Sequence, residues 1–205
     1  MATPTREPTP NDGSRHATPA DTDQLIDTLV EAFLTDPFWV HFMPDPERDG
    51  FASPVGLRDV MIAEVGSYLI HGHTHMIDGR AAALWTPPGI RSDDDALAEA
   101  FGRHVAAALL EAAMPHFIEM EEHRPTEPHF YLHLVGARDQ ARGQGLGTVL
   151  LERVTSICDA EGHAAYLEAS TARSAGLYAR HGFVEMAQID FAPGVTLRPM
   201  IRHPA

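Results

Sequence analysis

The chain of 205 residues is poor in most of the features that mark a class at once. It holds one cysteine, Cys158, so an intrachain disulfide is excluded and a reducing cytoplasm is the expected setting. That thiol lies in an apolar helical pattern and reads as a buried structural group. No apolar run approaches the roughly 18 residues of a membrane span, and no membrane association is expected. The Pro-, Thr- and Asp-rich start has no apolar core of a secretory signal. Residues 1–14 are expected to be a disordered tail, and 15–205 a single domain with room for a full core. Basic residues are scarce: 15 Lys and Arg face 29 Asp and Glu, for a net charge of −14. A general nucleic-acid binder would show a basic face, so nucleic acid is excluded as the expected partner. An acidic chain suits a cationic small molecule. The P-loop spacing G-x-x-x-x-G-K-S/T is absent. A dinucleotide fingerprint is absent too, because Thr148 stands where its third glycine belongs. There is no internal repeat.

What is present centres on Gln140-Ala-Arg142-Gly143-Gln144-Gly145-Leu146-Gly147-Thr148. The apolar run at 130–137 before it reads as a strand. Residues 149–160 after it carry apolar side chains at helical spacing. A glycine turn therefore joins a strand to a helix. Without Cβ atoms, Gly143, Gly145 and Gly147 let the backbone turn tightly and approach a ligand. Free amides at the helix start, with the helix dipole behind them, suit a phosphate or pyrophosphate.

The remaining elements follow in order. Residues 15–17 suggest a short strand, and Thr18-Pro19 opens a helix to about Leu34. Asp36-Pro37 and Pro44-Asp45-Pro46 bracket an aromatic loop of Phe38, Trp39, His41, Phe42 and Met43, which either lines a substrate pocket or caps the core. A helix is predicted over 57–70. His71, His73 and His75 would share one strand face, as a polar edge or turn rather than a metal site. Asp78-Gly79 reads as a hairpin turn with the return strand at 81–85. A long helix is predicted over 93–122, with Ser92 to Asp95 as its start and an interruption near Pro115. After the glycine turn and its helix come a strand at 164–170, a short helix at 171–180, and strands at 183–191 and 195–201.

From Arg142 to Gly147 the chain reads R-x-x-G-x-G, which resembles the coenzyme A signature of the GNAT superfamily of N-acetyltransferases. Tyr178-Ala-Arg180-His181-Gly182-Phe183 resembles that family's Y-x-x-x-G-F, in the right order and at the right separation. Leu167-Glu168-Ala-Ser170 with Arg173 and Tyr178, and Glu121 to Pro125 upstream, is most similar to the puromycin N-acetyltransferase-like actinobacterial group. The resemblance implies an α/β (α+β) GNAT fold: a mixed, mostly antiparallel sheet with two splayed central strands, flanked by helices. It implies acetyl-CoA as co-substrate and no metal. The pantetheine arm would pair with the backbone of Val135, Gly136 and Ala137. The pyrophosphate would sit on the amides of Gly143, Gln144, Gly145, Leu146, Gly147 and Thr148, with Arg142 at the start of the turn. Ser174 stands where relatives often have an Asn that contacts the cofactor, and Gly176-Leu177 replace the more usual Pro-Phe.

Acetyl transfer to an amine needs an acceptor for the amine proton, donors for the oxyanion, and a proton for the departing thiolate. Tyr178 matches the tyrosine to which the family assigns the last role. The base is open between His133, nine residues before Arg142 as in serotonin-type arylalkylamine N-acetyltransferases, and Glu168, which matches the puromycin-type Leu-Glu-x-Ser. Water is a third choice. The expectation is an acetyl-CoA-dependent N-acetyltransferase acting on a small-molecule primary amine, and a homodimer would be in keeping with the family. A protein lysine or N-terminal acetyltransferase, or a non-catalytic acyl-CoA-binding module, are the alternatives.

Overall fold

The computed structural model describes residues 13–90 and 94–205. Ser92, Asp93 and nearly all of the expected tail lie outside these residues. Eight strands form one mixed sheet in the order β1 (Ser14–His16), β2 (His75–Ile77), β3 (Ala81–Thr86), β4 (His129–Ala137), β5 (Ala164–Ala169), β8 (Val195–Arg202) and β6 (Val184–Glu185). Strand β7 (Ile189–Ala192) also pairs with β8. Only β4 and β5 run parallel. This is the mixed, mostly antiparallel GNAT arrangement that the motifs imply.

The two faces of the sheet carry separate cores. Helices α1 (Thr22–Phe33) and α3 (Pro54–Tyr68) cover one face, against Met76, Ala82, Leu84 and Leu134. Helix α6 (Leu146–Glu161) and α7 (Ala172–Arg180) cover the other, against Ala83, Trp85, Phe130, Leu132, Ala165 and Leu167. Strand β3 is buried along its whole length, and its three alanines let helices approach both sides. Gly136 does the same on β4. A Cβ there would lie 2.6 Å from the Ala32 Cβ of α1. Gly136→Val is expected to destabilise the fold by about 1–3 kcal/mol, measured by chemical denaturation, because α1 must move off the sheet.

Four of the departures from the sequence expectations change the kind or number of elements. The aromatic segment is a helix, α2 (Pro37–Phe42), not a loop: the Asp36 side chain accepts from the Phe38 amide at 3.0 Å and Pro37 takes the first helical position. The long helical pattern splits into α4 (Asp94–His104) and α5 (Ala107–Glu122), and the break falls at Val105-Ala106. Pro115 sits inside α5. The bend lets α4 pack on α3 while α5 reaches β7. Strand 183–191 is two pieces, because β6 and β7 pair with opposite ends of β8. Finally, only His75 of the three histidines is in a strand; His71 closes a 3-10 turn and Gly72 takes a left-handed conformation.

His75 is fully buried, with its ring 4.3 Å from that of His16 and neither ring nitrogen hydrogen-bonded among the described residues. Burial, reinforced by the charges of His16, Arg153 and His73, pushes its pKa down to about 3 from 6.5. The unfolded chain therefore binds a proton that the folded chain refuses. This contribution to stability is intact above pH 6.5 and is lost as pH falls toward 3. The loss amounts to about 1.4 kcal/mol per pH unit. His75→Phe, which keeps a ring and cannot titrate, is expected to flatten the pH dependence of unfolding free energy by about that slope in acid.

Candidate active site

Strands β4 and β5 pair through only four residue pairs, from His129↔Ala164 to Leu132↔Leu167. Beyond that point they part, and the edge of β4 that faces β5 carries no partner strand over residues 133–137. The gap opens into a cleft of about 500 Å³. Its walls are the diverging strand ends, the glycine turn, the start of α6, one side of α7, and the end of α1 leading into α2.

The turn is built for close approach. Gly143 and Gly145 have φ of +78° and +79°, which side-chain-bearing residues rarely adopt, and a Cβ at either would meet nothing within 4 Å. Helix α6 starts at Leu146 directly after Gly145, earlier than expected. Its first amides have no acceptor within the helix. Arg142 donates to the Ala32 carbonyl at 2.8 Å and pairs with Asp139 at 3.1 Å. It thereby ties the turn to the carbonyl end of α1. Arg138 does likewise, donating to the Gly79 carbonyl at 2.8 Å and to Glu31 at 3.0 Å. The Gln144 side chain lies outside the cleft lining and donates back to the Gln140 carbonyl at 2.9 Å. Ser174 lines the cleft, but its hydroxyl donates to the Thr171 carbonyl at 2.9 Å, within the capping box that starts α7. Thr148 lines it too, with its hydroxyl 3.3 Å from His181 Nε2.

Strand β4 carries a bulge. Leu84 pairs with Leu134 and Trp85 with Leu132, which leaves His133 as the extra residue. The bulge reverses the alternation: Leu132 joins the α6 core and Leu134 the α1 core. His133 lines the cleft with its ring between Tyr68, at 3.7 Å and stacked, and Tyr131, at 4.0 Å. Its Nε2 lies 3.1 Å from the Thr86 hydroxyl. Burial holds its pKa well below 6.5, with the positive charge of Arg124 adding to the effect. The ring is neutral at physiological pH.

Glu168 lines the same cleft from β5. Its Oε2 accepts from the Tyr131 hydroxyl at 2.7 Å; its Oε1 is buried without a well-aligned hydrogen bond among the described residues, with the Tyr166 hydroxyl close to the carboxylate. Burial raises its pKa. The Arg124 guanidinium faces it from above the Tyr131 ring, 4.6 Å from the ring centre, and pairs with Glu121 at 3.2 Å.

Tyr178 comes from α7. Its ring packs against Phe183 at 6.0 Å and its side chain lines the cleft. Burial, with the Asp36 carboxylate adding to it, raises the pKa of the hydroxyl, which therefore stays protonated well into alkaline solution. Asp36, which the sequence marks only as part of a chain break, belongs to the same cleft. It lines the cleft and accepts from the Ser170 hydroxyl at 2.5 Å. The Asp-Pro pair is a helix-start signal in sequence; its place beside Tyr178 depends on contacts across 134 residues.

The splayed parallel pair, the glycine turn and Tyr178 thus line one cleft. The chain belongs to the GNAT acetyltransferases: the family model described as "Acetyltransferase (GNAT) domain" matches residues 92–203. It is 25% identical over 203 residues to an uncharacterized N-acetyltransferase of Schizosaccharomyces pombe, spanning 86% of this chain and 77% of that protein. Among solved structures, one described as histone acetyltransferase HPA2 and related acetyltransferase, from Corynebacterium glutamicum, is similar at a TM-score of 0.67 and 29% identity. The match covers 94% of this chain and 96% of that one. An agmatine N-acetyltransferase shares the fold at a TM-score of 0.61 and 17% identity, over 93% and 98% of the two chains. The arylalkylamine N-acetyltransferase 2 of Aedes aegypti does so at 0.60 and 15%, over 94% and 98%. The described residues include no helix long and apolar enough to cross a membrane.

Proposed function

We propose that the enzyme transfers the acetyl group of acetyl-CoA to the primary amine of a small molecule. The observation that carries this reading is the convergence, in one cleft, of the glycine turn, the unpaired edge of β4, Tyr178 and the half-buried carboxylates of Asp36 and Glu168. The cleft fits the co-substrate because the space above Gly143 and Gly145 is open and the α6 amides behind it are free. The backbone of residues 143–148 would hold the pyrophosphate, with Gln144 contributing only its main chain. Arg142 would fix the turn. Val135, Gly136 and Ala137 would take the pantetheine arm along the free strand edge. Ser174 would shape the start of α7 rather than offer a free hydroxyl. Acetyl-CoA supplies an activated thioester carbonyl.

The residues of the chain supply the proton handling. Tyr178 holds a proton for the leaving sulfur. Glu168 is better suited than His133 to draw in and deprotonate the amine: one of its oxygens has no well-aligned hydrogen bond among the described residues, only the nearby Tyr166 hydroxyl, whereas the His133 ring is pinned between two tyrosines with Nε2 at Thr86. The names of the fold relatives that act on agmatine and arylalkylamines fit a small amine acceptor. The Corynebacterium relative, by its description, supports a second reading in which the acceptor is a protein.

The test is release of free thiol from acetyl-CoA with a panel of puromycin, arylalkylamines, alkylamines and histone-tail peptides. The chain contains no lysine, so no label can accumulate on lysines of the enzyme itself. Turnover with small amines and none with peptides is the expected result. Turnover confined to peptides would replace this reading with the second.

A further inference from the structure

Most acidic groups with shifted titration in this protein are held by cations. Arg15 pairs with Asp21, Arg103 and His104 with Asp59, and Arg202 with Asp159; each of those carboxyls is held below its usual range. Asp36 and Glu168 behave in the opposite way. Neither is in an ion pair among the described residues, burial raises both pKa values, and both line the cleft. Burying a carboxylate without a cation is costly, and a ligand that brings the cation offsets the cost.

The two carboxylates stand on different walls. Asp36 lies between α1 and α2, where Oδ1 accepts from the Phe38 amide at 3.0 Å and Oδ2 from the Ser170 hydroxyl at 2.5 Å. Glu168 is on β5, with the Tyr131 hydroxyl on one oxygen and the other buried near the Tyr166 hydroxyl without a well-aligned hydrogen bond among the described residues. Ser170 follows Glu168 by two residues, an advance of about 7 Å along an extended chain. Asp36 is thus anchored two residues along the chain from Glu168, in the same cleft. The cationic side chains of the lining, Arg142, Arg173 and Arg180, come from the glycine turn and α7. Of these, Arg142 and Arg180 already donate to main-chain carbonyls. Arg124 faces Glu168 but is paired with Glu121.

We propose that Asp36 and Glu168 form a two-point acceptor subsite, so that the preferred substrate is an amine carrying a second cationic group a short chain away. One carboxylate receives the amine that is acetylated and the other anchors the second charge. This rests on the amine-acetylation reading and names its substrate class. The competing role for Asp36 is that of a helix cap alone. Asparagine caps a helix as well as aspartate does and carries no charge, so Asp36→Asn separates the two.

The experiment compares kcat/KM for α,ω-diaminoalkanes with that for n-alkylamines of matched length, in wild type, Asp36→Asn and Glu168→Gln. Calorimetry of the same amines with the coenzyme A-loaded protein runs in parallel. The expected result is a preference for diamines of at least about tenfold in wild type, carried mostly in KM, that shrinks to below about threefold in Asp36→Asn. Equal use of mono- and diamines by wild type overturns the proposal. So does a diamine preference that survives in both variants. Diamine binding that depends on Asp36, in a protein that turns over no amine, upholds the subsite and rejects the acetylation reading. Absence of both binding and turnover rejects both.

Discussion

Tyr178→Phe is expected to lower kcat by at least about tenfold, a rise of about 1.4 kcal/mol or more in the barrier, while acetyl-CoA affinity stays within about twofold. The substitution removes one oxygen. The ring keeps its packing on Phe183 and its burial at the back of the cleft, so fold and cofactor site should be preserved. In the proposed mechanism the departing thiolate then loses its proton donor. Its environment suits donation: burial first, and then the Asp36 carboxylate, disfavour ionisation, so the proton is present throughout the neutral range. The same shift has a consequence for wild type. Any fall in rate between about pH 8 and 10 must come from a group other than Tyr178, because a group with a raised pKa loses its proton only above its ordinary value. Stopped-assay kinetics on the pure variant, with thermal unfolding as a control, decide the matter. An unchanged kcat would remove Tyr178 from the proton path and leave it a packing residue.

What could be read from the sequence was what is local in the chain. The R-x-x-G-x-G turn, its preceding strand and its following helix occupy consecutive residues, and glycines forced to positive φ leave a signature that needs no tertiary context. Tyr178 was legible for the same reason, through its fixed distance from Gly182-Phe183. The misplaced boundaries have a common cause. Apolar spacing over 93–122 fits one helix as well as two, and the break at Val105-Ala106 is set by which neighbours α4 and α5 must reach. Pro115 was the better local signal for a break, but α5 continues through it. The segment 183–191 is continuous in β propensity, but its two pieces pair with opposite ends of β8. The site shows the same division. The bulge that isolates His133 exists only as a mismatch of register with β3, and the Asp36–Ser170 bond joins residues that no spacing rule connects. Ser174 illustrates the converse: the sequence offers a hydroxyl at the cofactor position, and the capping box with Thr171 takes it up.

Gly145→Trp carries the other large effect: loss of acetyl-CoA binding by at least about a hundredfold, or about 2.7 kcal/mol, with the protein still folded. Two properties of the position make the effect separable from unfolding. The backbone at Gly145 is left-handed, and a residue with a Cβ held there costs on the order of 1–2 kcal/mol, which a domain of this size tolerates. The Cβ itself would meet no protein atom within 4 Å, so the indole has no core to disrupt and instead projects into the space over the α6 amides. That space is where the pyrophosphate would lie. Gly147 makes the useful contrast, since a Cβ there would stand 3.2 Å from the end of the Leu177 side chain, a contact inside the protein that a small shift of Leu177 must relieve. Isothermal calorimetry on wild type, Gly145→Trp and Gly147→Ala, alongside unfolding curves, distinguishes the routes. Binding lost in Gly145→Trp at near-native stability places the cofactor on the turn. Binding retained there would mean that the cofactor reaches the splay of β4 and β5 without using the glycine turn, and the roles assigned to residues 143–148 would fall together.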